Sequence, residues 1–389
     1  MSDTYISDSI KYIGADDTTL DLFENQYIVP NGVSYNSYII MDEKIAVMDT
    51  VDHRKTDEWF DNLNKVLDGK TPDYLVVSHL EPDHAANIQN FVEKYPTAKL
   101  VLSMKAKAMM PQFFEIDNLD DICITVKEGD TLELGEHKLT FIMAPMVHWP
   151  EVMVEYEEKE KILFSADGFG KFGALSADED WACEARRYYF NIVGKYGAPV
   201  QTLLKKAANL DIKTICPLHG PILKENLGYY IDKYNTWSSY QPEDEGVLVA
   251  YASIHGNTEK AAKLIAKTLE EKGAPKVAIT DLTRDDMAEA IEDAFRYSKL
   301  IIAASSYDGG VFPPMEDFLN RLSHKAYQNR TVGLVENGSW APCAARAMKG
   351  FVENMKNITI CDNTVTIKST LKDADMDSVS ALVDEILNK

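Results

Sequence analysis

Short apolar runs that alternate with amphipathic segments organise this chain. The run Tyr74–Ser78 is β-branched and aromatic and has the length of a buried parallel strand. A polar loop follows, and then a helical pattern from Ala85 to Tyr95. From Ile122 onward, strand patterns follow one another instead. For a protein of the α/β class, this order predicts an α+β first domain, built as a layered αββα sandwich of sheets covered by helices.

A different pattern begins after the polar segment Tyr240–Gly246, which reads as a linker. Beyond it, apolar strands and amphipathic helices alternate regularly, from Val247–Tyr251 to the last helix at Ala374–Asn388. Regular alternation predicts a doubly wound parallel sheet with helices on both faces. With 389 residues the chain is also too long for one ordinary core. We therefore expect two domains, 1–245 and 246–389.

Side chains that bind metals follow four of the predicted strands in the first domain. Taken singly, each has a simpler interpretation as a hydrogen-bonded loop histidine or a turn-forming acid, but their common place at strand exits favours a metal site. The candidate ligands are His79, Glu81, Asp83, His84, His148, Asp167 and His219.

The loop around Pro82 suggests how the first four of these residues are arranged. Pro82 is expected to prevent helix within the loop, and an extended chain lets His79, Glu81 and Asp83 converge, while His84 faces a neighbouring position. That arrangement suits two metal ions better than one. Asp49 ends another strand; we favour a turn former there over a group that orients a ligand. Three further histidines, His53, His137 and His324, lack such settings and are predicted to lie on the surface.

The ligand set favours iron over zinc. Zinc hydrolases with the αββα sandwich usually present His-x-His-x-Asp-His in the first loop, and this chain has Glu81 where the second histidine would stand. An additional carboxylate adds negative charge and hard oxygen donors, which suit the higher oxidation states of iron or manganese better than zinc, and of these two metals we favour iron.

Three loops of the second domain suggest a flavin site. The first lies at a helix amino terminus, where backbone amides and hydroxyls bind phosphate without a lysine. The other two combine glycine with aromatic residues that stack on a ring. An ordinary helix cap and surface aromatics are the alternatives. The loop residues are Ser253, Ile254, His255, Gly256, Asn257 and Thr258; Ser305, Ser306, Tyr307, Asp308, Gly309 and Gly310; and Asn337, Gly338, Ser339 and Trp340.

Together with the segment Tyr35–Tyr38, these motifs resemble the flavodiiron proteins, or A-type flavoproteins, over both domains in the same order. The resemblance implies a metallo-β-lactamase-like domain with a non-haem di-iron centre, followed by a flavodoxin-like domain with FMN. It implies reduction of dioxygen to water or of nitric oxide to nitrous oxide. By resemblance, His79, Glu81 and His148 hold one iron, Asp83 and His219 hold the other, and Asp167 bridges them. The histidine that matches His84 coordinates iron in some members of the family and turns away from it in others.

The resemblance also implies partners. We expect a head-to-tail homodimer, which exists alone or as half of a tetramer. In this dimer, the flavin of one subunit faces the irons of the other, and Trp340 lies in the contact. No rubredoxin-like or flavin-reductase segment follows the last helix, so we expect a separate electron donor, a rubredoxin or reduced coenzyme F420. Two alternatives remain: a dinuclear zinc hydrolase with a regulatory flavodoxin-like domain, and an electron carrier with a structural metal.

Composition limits the binding partners and the cellular compartment that we expect. Lys and Arg number 40 against 62 Asp and Glu, a net charge of −22, which argues against binding to nucleic acid or anionic membranes. The segment Met1–Lys11 has no signal-peptide pattern, and no apolar run reaches the length of a membrane span. The five cysteines are scattered and form no Cys-x-x-Cys pair, which argues against a disulfide framework or a Cys-ligated metal. We expect a cytoplasmic protein.

Overall fold

The computed structural model describes residues 4–389, so the first three residues of the predicted first domain and of the amino-terminal segment lie outside it. The chain divides into two compact units. One runs to Tyr189 and includes Ala198–Asn235; the other comprises Phe190–Gly197 and Thr236–Lys389. Between residues 4 and 389, none of the helices combines the length and the apolar character that a bilayer span requires.

Two mixed sheets form the first unit. The first has the spatial order Ile10–Tyr12, Tyr38–Ile40, Ala46–Met48, Tyr74–Val77, Lys99–Ser103 and Cys123–Val126. The second has the order Thr131–Glu133, Lys138–Met143, Met153–Glu157, Ile162–Phe164 and Thr214–Cys216. Each sheet contains antiparallel and parallel pairs, and apolar side chains of both sheets form one shared core. The predicted αββα sandwich is confirmed.

Smaller elements complete this part of the chain. Ala15–Asp17 pairs with Val33–Tyr35, and Leu22–Phe23 pairs with Tyr27–Ile28. The α-helices in chain order are Thr56–Leu67, Pro82–Ala85, Ile88–Lys94, Met104–Met109, Leu119–Ile122, Trp181–Tyr188, Gly197–Ala207 and Leu227–Ser238.

The second unit is a parallel sheet with helices along the crossovers, as predicted. Its strands have the order Val277–Asp281, Asp244–Ala252, Tyr297–Tyr307, Thr331–Asn337 and Thr359–Ile367, and the short strand Gly310–Val311 pairs with Tyr297–Tyr307. Its helices are Asn257–Glu271, Met287–Arg296, Pro313–His324, Ala344–Val352 and Met376–Asn388. A buried aliphatic cluster joins the first and last of these helices to the sheet. The strand order changes direction beside Asp244–Ala252, so the loops at that edge surround a crevice.

His137 corrects one sequence prediction. Its side chain is buried, not exposed, with Nδ1 3.0 Å from Glu157 Oε1 and Nε2 2.9 Å from Ser9 Oγ. The residues that contact His137 lie far from it in sequence, so the local sequence pattern did not predict its burial. His53 and His324 are exposed, as predicted.

An ion pair joins Asp17, at the end of the strand Ala15–Asp17, to Arg54 in the 3-10 helix His53–Lys55. Arg54 Nε donates to Asp17 Oδ2 at 2.6 Å, and Thr19 donates through its backbone N–H and its hydroxyl to Oδ1. Burial alone would raise the pKa of Asp17, but the hydrogen bonds from Arg54 and Thr19 lower the pKa from 3.8 to about 2.

This lowered pKa predicts a pH-dependent contribution to stability. Ionised Asp17 stabilises the folded state above its ordinary pKa of 3.8, and this contribution disappears as the pH falls towards 2. Asp17→Asn should lower the thermal unfolding midpoint at neutral pH, and its deficit should shrink on acidification. The exposed neighbour Asp21, changed to Asn, is the control. A deficit that is independent of pH would contradict the assigned ion pair.

Candidate functional site

The metal-binding loop leaves the strand Tyr74–Val77, but it is not extended as predicted. Pro82 is the first residue of the helical turn Pro82–Ala85, where its missing N–H has no helical partner to lose. Asp83 and His84 therefore lie on a helix. The prediction that Asp83 converges with His79 and Glu81 was wrong, because the helical turn directs it to a second group of side chains.

The first group contains His79, Glu81, His148 and Asp167. Glu81 Oε2 lies 3.3 Å from His79 Nε2 and 2.9 Å from His148 Nε2. Asp167 Oδ2 lies 3.3 Å from His79 Nε2 and 3.1 Å from His148 Nε2. One atom from each residue lies within 4.8 Å of all the others, which is the spacing of ligands around one metal ion.

The second group contains Asp83, His84 and His219. The Nε2 atoms of His84 and His219 are 3.1 Å apart, and Asp83 Oδ2 lies 3.3 Å and 3.1 Å from them, respectively. Asp167 reaches this group with its other oxygen, Oδ1, which lies 3.3 Å from His84 Nε2. The two oxygens of Asp167 thus face different groups, as a carboxylate between two cations does.

The buried oxygens in this cluster fit metal ions better than hydrogen bonds. Within residues 4–389, neither oxygen of Asp83 nor of Asp167 has a partner with hydrogen-bond geometry, although imidazole nitrogens lie close to both carboxylates. Buried carboxylates without hydrogen bonds are costly unless a cation neutralises them. The seven side chains therefore fit a pair of metal ions.

Electrostatics agree with this interpretation. Burial alone would lower the pKa of His148, but the adjacent carboxylates of Asp167 and Glu81 raise it to about 9. Burial likewise disfavours charge on Asp167, yet the surrounding histidines hold its pKa well below the ordinary value. The carboxylates thus attract positive charge to this point, which a proton or a metal ion supplies.

Side chains outside the cluster orient its imidazoles. Glu151 Oε1 lies 2.8 Å from His79 Nδ1 and accepts the Leu80 N–H at 3.0 Å. His219 Nδ1 lies 2.7 Å from the carbonyl oxygen of Ser34, which accepts its proton. Such partners fix the ring orientation and leave Nε2 free for a metal. The sequence reasoning missed Glu151, since only the fold brings it beside His79.

Asp49 also supports the ligand loop. Its backbone has φ +53°, and its buried carboxylate accepts hydrogen bonds from the backbone N–H and the hydroxyl of Ser78, at 2.8 Å and 2.6 Å. Ser78 directly precedes His79. The preference for a simple turn former at Asp49 was therefore wrong, because the side chain holds the strand exit that carries the ligands.

Aromatic rings enclose the cluster. The Trp149 ring lies edge-on to His79 with centroids 5.2 Å apart, and Phe23 lies edge-on to His219 at 5.5 Å. Tyr188, which is buried, lies 5.5 Å from His219 between ring centroids. These rings reduce the access of water and lower the local polarity.

The second unit contains a cavity of ≈ 1060 Å³, which is large enough for a mononucleotide-sized ligand. Of the predicted flavin residues, all but Gly256 and Gly310 line it. The sequence reasoning missed several lining residues that neighbour the predicted loops or come from elsewhere, namely Glu336, Ala341, Pro342, Cys343, Arg346 and Ser369.

Hydrogen bonds between the loops shape this cavity. Thr258 and Ser305 hydroxyls lie 3.0 Å apart, and the Gly256 N–H donates to Ser253 Oγ at 3.0 Å. Gly256 has φ +83° and precedes the helix Asn257–Glu271, a conformation that glycine adopts without strain. The cavity therefore opens on the amino end of a long helix, where a phosphate is stabilised.

Two aromatic side chains stand at the rim of the cavity. Trp340 is 92% exposed and Tyr307 is 45% exposed. Flat aromatic rings beside a cavity are suited to stacking against a ring ligand.

Comparisons with known proteins match both units. Residues 33–220 match the ODP family beta lactamase model, and residues 248–359 match a flavodoxin domain model. The chain is 29% identical to an uncharacterized protein of Methanocaldococcus jannaschii, over 95% of this chain and 94% of that protein. It is 28% identical to the anaerobic nitric oxide reductase flavorubredoxin of Vibrio vulnificus, over 86% of this chain and 70% of that protein.

Solved structures match over nearly the whole chain. The rubredoxin oxygen:oxidoreductase of Desulfovibrio gigas has a TM-score of 0.92 at 26% identity and covers 99% of this chain and 98% of its own. A flavoprotein of Thermotoga maritima has a TM-score of 0.88 at 25% identity, with coverage of 99% and 98%.

Fold and sites together define a two-domain metalloflavoprotein. Over both domains, in the same order, the chain resembles the flavodiiron proteins. FMN and a non-haem di-iron centre are the cofactors of this family.

Asn36 binds the backbone on both sides of His219, and this role can be tested by mutation. Its side-chain amide donates to the carbonyl oxygens of Pro217 and Gly220, both at 2.8 Å, on either side of His219. Asn36→Ala leaves the buried carbonyl of Gly220 without this donor, whereas the carbonyl of Pro217 keeps the hydrogen bond from the Tyr38 hydroxyl at 2.6 Å. The variant should destabilise the protein by about 1–3 kcal/mol in chemical unfolding. Asn62→Ala, which removes one half-buried bond to Gly14, should cost about 0.5–1.5 kcal/mol. Equal losses would argue against a special role for Asn36.

Proposed function

We propose that this protein is an oxidoreductase that reduces dioxygen to water, nitric oxide to nitrous oxide, or both, at the cluster in its first unit. The observation that carries the proposal is Asp167, whose two oxygens face two separate groups of ligands. The names of the relatives support both gases, since one is a nitric oxide reductase and another an oxygen oxidoreductase.

The proposed ligands follow the two groups. His79, Glu81 and His148 would hold one iron, Asp83, His84 and His219 would hold the other, and Asp167 would contribute to both. His84 is included because its Nε2 points to the same place as that of His219. Bound iron supplies redox electrons and open coordination positions for a diatomic gas, and bound FMN supplies electrons from the donor.

The residues of the chain have distinct tasks in this reaction. Glu151 and the Ser34 carbonyl keep the Nδ1 protons of His79 and His219 in place, so both rings present Nε2 to the metal. Trp149 and Phe23 limit the entry of water beside these rings. An apolar surrounding also favours a nonpolar gas over hydrated anions.

We place FMN in the cavity of the second unit. The hydroxyls of Thr258 and Ser305 and the amides at the start of the helix Asn257–Glu271 would bind the phosphate, and Tyr307 and Trp340 would flank the ring. We assign residues 1–245 to the iron-binding domain and residues 246–389 to the FMN-binding domain.

The proposal includes partners and setting. A head-to-tail homodimer would bring the flavin of one chain to the irons of another, either as a dimer or within a tetramer. A rubredoxin or reduced F420 would supply electrons, in the cytoplasm.

The test is gas consumption by the purified, anaerobically reduced protein, supplied separately with dioxygen and nitric oxide. We expect iron in metal analysis and rapid consumption of at least one gas, since an open ferrous pair binds both. Removal of iron with a chelator should abolish consumption, and iron alone should restore it. The variant His148→Ala, which deletes one ligand, should lose iron and activity together. Zinc without iron, with no gas consumption, would instead favour the hydrolase.

The dimer is tested by dilution. Activity per chain should fall as the dimer dissociates, because each active centre would need the flavin of its partner. Trp340→Ala should shift this fall to higher protein concentration, whereas Met104→Ala, at another exposed apolar position, should not. FMN content is measured in parallel to exclude simple loss of the flavin. Constant activity per chain through dissociation would contradict the proposed arrangement.

A further inference from the structure

Glu155 is an acidic residue in an apolar place. It lies on the strand Met153–Glu157, is 0% exposed, and shares its strand face with Met153, a member of the core between the two sheets. A buried carboxyl group is costly when it is charged and unpaired. The proposed reaction uses no group at this position, so its presence needs another explanation.

The two contacts of the Ser78 hydroxyl provide that explanation, because a hydroxyl has only one proton to donate. Ser78 Oγ lies 2.6 Å from Asp49 Oδ2 and 3.0 Å from Glu155 Oε2. A serine hydroxyl has one proton to donate, and an ionised carboxylate only accepts. Both contacts are hydrogen bonds only if one of the two carboxyl groups carries a proton and donates it to Ser78 Oγ.

The surroundings assign this proton to Glu155. Asp49 accepts the Ser78 N–H at 2.8 Å and faces the His79 N–H at 3.4 Å, so donors stabilise its ionised form. Glu155 Oε1 has no hydrogen-bond partner in the described chain. Burial, with the nearby charge of Asp49, also raises the pKa of Glu155 well above its ordinary value.

We propose that Glu155 is a positioning residue that stays a neutral carboxylic acid and donates its proton to Ser78, so that Ser78 donates to Asp49. The hydrogen bonds then run in one direction, from Glu155 to Ser78 and from Ser78 to Asp49. The three side chains together carry one negative charge instead of two. These hydrogen bonds fix the residue that directly precedes His79. Glu155 thereby acts on the proposed metal site through the ligand loop, without contact to a ligand.

Infrared spectroscopy of the full-length protein tests the proton assignment without reference to metal. At neutral pH, Glu155→Gln should remove the carbonyl stretch of a protonated carboxyl group. The matched control is Glu157→Gln on the same strand, which should leave the band in place. Glu157 accepts the N–H groups of Lys159 and Glu160, so it serves as a carboxylate acceptor. A protonated-carboxyl band that persists unchanged in Glu155→Gln would overturn the proposal.

Metal affinity tests the positioning role, which rests on the proposed function. In chelator competition on the iron-loaded protein, Glu155→Gln should retain the affinity of the original protein, because its amide N–H still donates to Ser78. Glu155→Leu removes the donor and should weaken iron binding roughly tenfold. Equal affinity of the leucine variant and the original protein would overturn the positioning role. Failure of the original protein to bind iron would instead refute the proposed function and leave the infrared result intact.

Discussion

The structure of the first unit depends on one electrostatic constraint: carboxylates and imidazoles are buried together at the ends of several strands. Neither oxygen of Asp83 or of Asp167 has a hydrogen bond in the described residues, and both carboxylates face imidazole nitrogens. Charge of this kind is tolerated away from water only when opposite charge is close. The ligand loops, the orienting acceptors and the enclosing aromatic rings all serve to hold this cluster in one geometry.

The sequence predicted the members of this cluster because each follows an apolar strand. Strand periodicity is a local property, and the exits of neighbouring strands meet at one edge of a sheet. The support of the cluster was harder to predict. Glu151 reaches His79 across 72 positions of sequence, and His137 is buried by Glu157 and Ser9, 20 and 128 positions away. No local pattern records such distant contacts.

Pro82 shows how a correct local rule leads to a wrong geometry. Proline is unfavourable within a helix but suits its first turn, and the choice depends on whether the following residues complete the turn. In the second unit, most of the predicted loop residues line one cavity, because glycine and hydroxyl residues mark these loops locally. Ser369, by contrast, reaches the cavity from a loop that carries no such motif. Its backbone N–H and carbonyl both pair with the side chain of Asn337.

The helical turn Pro82–Ala85 also makes the length of the metal-binding loop critical. Each residue of an α-helix turns the following side chain by about 100° around the helix axis. One residue inserted after Pro82 would rotate Asp83 and His84 away from His219, whereas an extended loop would absorb the same insertion by bulging. Related chains that keep this turn are therefore expected to vary in loop length before His79 or after Ala85, but not between them.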